Sequence, residues 1–333
     1  MQFSLIICTY QRPKALLNLL NSIQDQKMYP NEIIIVDGSR DNKTKDLVQE
    51  YKFENLYYFK VEDKDRGLTR QRNYGISKVT QDSEVVCFLD DDTYLKKDYF
   101  KNLIEVFKRN QEIFGVGGVA INENRWIKKD YEKSYSNKKY FEFENYVVER
   151  GSRHILRNHL GLGSNKLPGN MPEFSHGTSY SYPLNGKFYE VDLLIGMSMS
   201  FRKQVTDSIK FSTYFEGYGL YEDADYSLRA IEFGKNVIAT NVCLRHFHEA
   251  TGRPNKYNYG KMVVRNGWYV WRIKYPKPKL EARLKWNVII WLLIFIRLGN
   301  VITTKKKKGA FTEALGRIVG WFSLFLNKPK VER

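Results

Sequence analysis

Short apolar runs alternate with stretches whose apolar residues recur every three or four positions, and this alternation organises the first 120 residues. Residues 3–10 (FSLIICTY) form a near-continuous branched and aromatic run, which predicts a buried strand. Pro13 then suits a first helical turn, and Leu16, Leu17, Leu20 and Ile23 follow at helical spacing. Residues 32–36 (EIIIV) predict a second buried strand ending at Asp37, Gly38 and Ser39. The pattern continues with a helix over 46–51, a strand over 56–61, a helix over 68–77 and a fourth strand over 85–89. Strands separated by helices favour a parallel sheet with right-handed crossovers. Ligands gather at the carboxyl ends of the strands in such sheets. Thr9, Tyr10, Asp37 and Asp63 all fall there.

The fourth strand opens directly into Asp90, Asp91 and Asp92. Like charges at a strand terminus repel, so they need a compensating cation or nearly full solvation. Hard oxygen ligands at this density suit Mg²⁺ or Mn²⁺, ions that commonly bind together with a phosphate-bearing ligand. The plainer alternative is a solvated acidic loop capping a helix that begins near Lys96.

Five stretches together resemble the inverting glycosyltransferases of family 2. They are ICTYQRP (7–13), IVDGS (35–39), RNYGI (72–76), FLDDD (88–92) and EDADYSLR (222–229), and they occur in the family's order. The resemblance implies a GT-A fold: a Rossmann-like mixed α/β sheet flanked by helices. Residues 1–121 would be the nucleotide-sugar half and residues 122–250 the acceptor half of one catalytic domain. It also implies a sugar transfer from a UDP- or dTDP-linked donor to a glycan or polyprenyl-diphosphate-linked glycan, in bacterial capsule, lipopolysaccharide or related surface-polysaccharide synthesis.

Site residues follow from the same resemblance. Thr9, Tyr10 and Arg12 would cradle the nucleotide, and Asp37 would accept from the imide N–H of the pyrimidine. Asp63 would lie on the same side. Arg72 and Asn73 would line the donor site, a guanidinium being suited to clamping phosphate. Asp90 and Asp91 would face ribose and sugar, and Asp92, with Asp90, would hold the divalent metal. Asp223 would be the general base, with Glu222 positioning the acceptor or the loop. His246 and His248 follow a strand-like segment over 237–244 and lie two residues apart, a spacing that shares one strand face. Some family members place a third metal ligand or a diphosphate contact in this region, and either histidine is a candidate.

Charge sharpens the picture of the C-terminus. The chain carries a net +17, of which residues 251–333 hold +16 from 19 Lys/Arg and 3 Asp/Glu. That segment also contains an 11-residue apolar run, WNVIIWLLIFI (286–296), too short to cross a bilayer alone. After four consecutive lysines at 305–308, Phe311, Leu315, Ile318, Val319, Phe322 and Phe325 recur at helical spacing. Basic residues beside Trp/Phe-rich amphipathic helices predict an interfacial membrane anchor. The expected location is the cytoplasmic face of the bacterial inner membrane, where nucleotide sugars are found. A helical pair packed on the catalytic domain or a dimer interface is the competing reading, and no base-reading motif supports nucleic-acid binding. Cys8, Cys87 and Cys243 fall within predicted strands and read as small buried hydrophobes. No signal peptide precedes the first strand, and residues 122–190 carry aromatics without a motif. A nucleotidyltransferase would carry a Gly-rich basic phosphate loop, absent near Thr9, and a non-catalytic scaffold would have no use for both acidic clusters.

Overall fold

The computed structural model describes residues 1–178, 181–248 and 254–332, which form two compact units: Met1–Asn124 with Leu184–Arg253, and Arg125–Pro183 with Pro254–Arg333. The first unit realises the strand–helix alternation. Its elements begin β1 (Phe3–Thr9), α1 (Pro13–Gln24), β2 (Glu32–Asp37), α2 (Lys43–Glu50) and β3 (Leu56–Lys60). They continue with α3 (Leu68–Ile76), β4 (Val85–Asp90), β5 (Thr93–Leu95), α4 (Tyr99–Arg109) and β6 (Ile113–Ala120). Next in the chain, within the second unit, come β7 (Ile127–Lys128), β8 (Tyr140–Phe143), β9 (Tyr146–Glu149) and α5 (Ser152–His159). The first unit then resumes with β10 (Phe188–Val191), β11 (Ser198–Arg202), α6 (Lys203–Ser208), α7 (Glu222–Ala230) and β12 (Lys235–His246).

Among the described residues, nine strands make one mixed sheet in the order β10-β12-β6-β11-β4-β1-β2-β3, with β5 paired to β12. Strands β1, β2, β3 and β4 are mutually parallel, whereas β11 runs antiparallel to both β4 and β6. The central strands are apolar throughout because helices cover both faces, leaving no side of the pleat for water. Leu5, Ile7, Ile33, Ile35, Val85 and Cys87 pack on one side with Leu16, Leu20 and Ile23 of α1. The apolar stretch over residues 192–201 is not one continuous strand: β11 starts at Ser198, after a turn through Gly196 closed by an Ile195–Ser198 bridge.

Register sets the site. Cys8 lies opposite Asp90 across β1 and β4, and Thr9 lies opposite Asp37 across β1 and β2, so these strands end level. The chain turns through Asp91 and Asp92 into β5, where Thr93 pairs with His246 at the end of β12. Gly75 on α3 lets that helix lie close against the sheet: a Cβ there would stand 2.6 Å from Ile6 Cγ2.

The second unit combines a three-stranded antiparallel sheet, β7-β9-β8, with α5 and three long helices, α8 (Lys256–Lys274), α9 (Leu280–Thr303) and α10 (Lys307–Leu326). Val264, Trp271, Trp286, Ile290, Ile294 and Leu324 form its helical core, with the Trp271 and Trp286 rings stacked 5.1 Å apart. Buried Glu313 accepts from Arg317 Nη2 at 2.8 Å and forms an ion pair with Arg297 Nε at 2.9 Å. The apolar run that reads as 11 residues is the middle of the 24-residue α9, which is long and apolar enough to cross a membrane. The run is longer in the helix because Leu280, Ala282 and Leu284 precede it and Leu298, Val301 and Ile302 follow it.

Candidate active site

Folding gathers Thr9 and Arg12 around Asp91. The Thr9 hydroxyl donates to Asp91 Oδ2 at 2.7 Å, and Arg12 Nη1 donates to Asp91 Oδ1 at 3.0 Å while standing 3.8 Å from Asp92 Oδ2. Asp91 is buried, and burial pushes its carboxyl up to about 6 even though Arg12 and Thr9 pull it down. Its contacts hold the β1 and β4 ends together. Tyr10 follows β1 directly and is partly buried.

Asp37 is fully buried. It accepts from Ser39 N–H at 2.7 Å and from the Tyr58 hydroxyl at 2.6 Å. Its carboxylate therefore shapes the turn after β2, each oxygen already accepting one hydrogen bond. Asp63 lies in a 3-10 turn past the end of β3, is 81% exposed, and pairs with Arg66. Asn73 commits both side-chain atoms to the backbone of Phe211, donating to its carbonyl and accepting from its N–H, each at 2.8 Å.

Arg72 is the junction of the site. Its guanidinium, 2% exposed, donates to Glu222, to Asp90 Oδ1 at 3.2 Å and to the Gly196 carbonyl at 3.1 Å. The acidic triplet and the Glu222–Asp223 pair, 130 residues apart in sequence, thus meet on one side chain. The loop before α7 is docked on α3, with Leu68 N–H donating to Gly217 O at 3.2 Å and Arg70 paired with Glu216 at 2.7 Å. Gly217 and Gly219 adopt φ of 81° and 76°, and Tyr221 a left-handed 70°, a sharp entry that points the first turn of α7 at Arg72.

Glu222 and Asp223 differ in exposure and partners. Burial pushes Glu222 up to about 8 against the opposing Arg72 charge, and its Oε2 is buried with no hydrogen-bond partner. Asp223 Oδ2 accepts from Gly196 N–H at 2.9 Å and Oδ1 from Ala224 N–H at 2.8 Å. Burial raises the Asp223 carboxyl above its ordinary value, with those two N–H groups opposing. A carboxylate oriented by backbone N–H groups at a helix start, with its proton affinity raised by burial, is a better proton acceptor than an exposed one.

One further cluster suits a cation. Ligand atoms of Asp90, Asp92 and His246 lie within 4.8 Å of one another, and His246 Nε2 is 3.3 Å from Asp92 Oδ1. Two hard carboxylates and one imidazole fit Mn²⁺ well and Mg²⁺ acceptably. His246 Nδ1 and His248 Nε2 each lie 2.9 Å from Glu123 Oε1. Burial lowers the proton affinity of His246, but its hydrogen bonds to Asp92 and Glu123 outweigh this and raise it to about 10. Glu123 carried no sequence signal, standing in an unremarkable Asn-Glu-Asn stretch after β6.

Comparison with known proteins adds a family. Residues 4–167 match the family described as Glycosyl transferase family 2. The O-antigen chain rhamnosyltransferase RfbN of Salmonella typhimurium is 33% identical over 108 residues, 32% of this chain and 33% of that protein. The poly(ribitol-phosphate) beta-N-acetylglucosaminyltransferase TarS of Staphylococcus aureus is 31% identical over 105 residues, 31% of this chain and 18% of its own length. The match thus spans a third or less of either curated relative. The crystal structure of GalNAc-T7 with UDP, GalNAc and Mn²⁺ shares the fold at TM-score 0.56 and 14% identity, over 84% of this chain and 52% of that one.

Proposed function

We propose that this chain, which belongs to glycosyltransferase family 2, is an inverting transferase that moves a sugar from a nucleoside diphosphate to a hydroxyl of a bacterial surface glycan. The reading is carried by Arg72, whose contacts to Asp90 and Glu222 set the acidic triplet beside the Glu222–Asp223 pair. A donor-side anion cluster and a proton acceptor at one location are what a single displacement needs.

Asp223 takes the proton from the acceptor hydroxyl as that oxygen attacks the anomeric carbon. The bond from that carbon to the diphosphate breaks on the opposite side, and the nucleoside diphosphate departs with the electron pair. One displacement inverts the anomeric configuration and forms no covalent enzyme intermediate. Base catalysis of this kind contributes about 10²–10⁴-fold in rate. Glu222 acts through Arg72, fixing the guanidinium against Asp90. Arg12 and Thr9 hold Asp91 so that the strand ends stay level beneath the donor.

Asp90, Asp92 and His246 would hold Mn²⁺ or Mg²⁺, which supplies positive charge to neutralise the diphosphate leaving group. The presence of Mn²⁺ and UDP in the GalNAc-T7 structure supports this choice of cation and of a UDP-linked donor. The names of RfbN and TarS support an acceptor in surface-polymer synthesis. A lipid-linked acceptor and work at the inner face of the cell membrane are consistent with the basic, apolar C-terminal helices.

The test is release of UDP or dTDP from a panel of nucleotide sugars with Mn²⁺ present. Turnover that requires Mn²⁺, and that Asp92→Ala abolishes, supports the assignment. Equal turnover by Asp92→Ala, or none with any nucleotide sugar and any glycan acceptor, would overturn it.

A further inference from the structure

We infer that Glu123 is a positioning residue for the cation, fixing which ring nitrogen of His246 faces the ion; the inference rests on the cation reading given above. His246 ends β12 with its ring between two carboxylates. Nδ1 lies 2.9 Å from Glu123 Oε1, and Nε2 lies 3.3 Å from Asp92 Oδ1. With an ion bound the ring must be neutral, carrying one N–H and one lone pair, and an ionised carboxylate only accepts. Glu123 is therefore satisfied by an N–H on Nδ1, which leaves the lone pair on Nε2, the nitrogen turned toward Asp90 and Asp92.

The neighbouring residue secures the backbone in the same way. Asn122 Nδ2 donates to the His246 carbonyl at 2.7 Å, and His246 N–H donates to Asn122 Oδ1 at 3.0 Å. Two consecutive residues just past β6 thus fix both the main chain and the ring of the last residue of β12. The β5 pairing of His246 with Thr93 adds a third restraint, on the same side as the triplet. A carboxylate accepting from the far nitrogen of a ligating histidine orients the ring and raises its basicity, and removing it costs about 10–100-fold in metal affinity.

Glu123, His246 and His248 also lie close enough together to ligate an ion themselves, and the experiment separates that arrangement from a positioning role. Mn²⁺ is titrated into the full chain with UDP present. Bound ion is measured by loss of the free Mn²⁺ paramagnetic resonance signal, and imidazole coordination by the ¹⁴N modulation of the spin echo. We expect Glu123→Ala to weaken Mn²⁺ binding by about 10–100-fold and to diminish the nitrogen modulation that His246→Ala abolishes. Glu123→Gln recovers most of both, because its amide oxygen still accepts from Nδ1–H. Glu123→Ala still melts cooperatively without Mn²⁺, as a folded chain does, and His248→Ala binds Mn²⁺ as wild type does. Wild-type affinity in Glu123→Ala, with Asp92→Ala still deficient, overturns the inference and leaves the cation reading standing. Equal losses in His248→Ala and Glu123→Ala make Glu123 a direct ligand and also overturn it. A wild-type chain that takes up no Mn²⁺ sinks the underlying reading with it.

Discussion

Arg72 serves three acceptors at once, and only a forked, permanently charged group does that from a buried position. Arg72→Lys would leave a point charge unable to span Glu222, Asp90 and the Gly196 carbonyl. Breaking a buried pair on one side costs about 3–5 kcal/mol. The expected outcome is a clear drop in melting temperature together with loss of UDP release. Asp223 makes a separate prediction, with a definite sign. A general base works ionised, and the Asp223 carboxyl is raised above its ordinary value by burial. Turnover should therefore climb as pH rises through that raised value and fall below it. Asp223→Asn should lose about 10²–10⁴-fold in turnover, flatten that limb, and keep donor affinity, which a nucleotide displacement assay reads directly. At this scale the sequence was most legible where residues cluster, as in Asp90, Asp91 and Asp92. It was least legible where a side chain satisfies a neighbour: Asp37 and Asn73 sit at recognisable positions, yet Ser39, Tyr58 and Phe211 engage them. Such pairings depend on tertiary approach, which spacing does not encode.

Among the elements, α3 carries the most consequence for its length. It brings Arg72 to the site, and through Gln71 Nε2 it donates to the Thr9 and Val36 carbonyls at 3.1 and 2.8 Å, tying the helix to the ends of β1 and β2. All of this depends on a close approach at Gly75, where an added Cβ would stand 2.6 Å from Ile6 Cγ2 and 3.3 Å from Val36 Cγ2. Overpacking of a tight core contact costs about 1–3 kcal/mol. Gly75→Ala should shift the urea midpoint by that order and reduce turnover as the helix lifts and Arg72 with it. An unchanged midpoint would show that α3 adjusts without strain. The parallel strands β1 to β4 were legible because continuous apolar runs bounded by polar turns have one good solution in a covered sheet. The turn through Gly196 was not, because DLLIGMSMSF is apolar enough to read as one strand. The Ile195–Ser198 bridge and the contacts of Asp223 and Arg72 to the Gly196 backbone interrupt it.

At the scale of the whole molecule, charge and exposed apolar surface coincide in the C-terminal helices. Residues 1–250 are nearly neutral, and the remaining segment holds almost the entire net positive charge. Within the second unit, α8, α9 and α10 share a core through Trp271, Trp286, Ile290 and Leu324. The other faces of α9 and α10 leave Leu284, Val288, Phe295, Phe322 and Phe325 more than half exposed. Large apolar groups exposed in this number beside Lys305, Lys306, Lys307 and Lys308 suit the boundary between headgroups and acyl chains. Amphipathic spacing and the lysine run made the helices legible from sequence. The inclusion of residues 125–183 in their unit was not, because that stretch carries no motif and, the β8–β9 hairpin apart, no local pattern records what it packs with. Near an anionic leaflet each Lys contributes about 1 kcal/mol. Replacing all four lysines with Ala should therefore weaken partition into phosphatidylserine vesicles by up to about 10³-fold at low salt. Partition into neutral phosphatidylcholine vesicles, driven by the apolar residues alone, should stay as it was. Replacing Phe322 and Phe325 with Ser should lower both. A full chain that stays with the aqueous phase for every vesicle composition would refute membrane attachment and return these helices to the role of a protein interface, since their exposed aromatic faces would then need a partner of another kind.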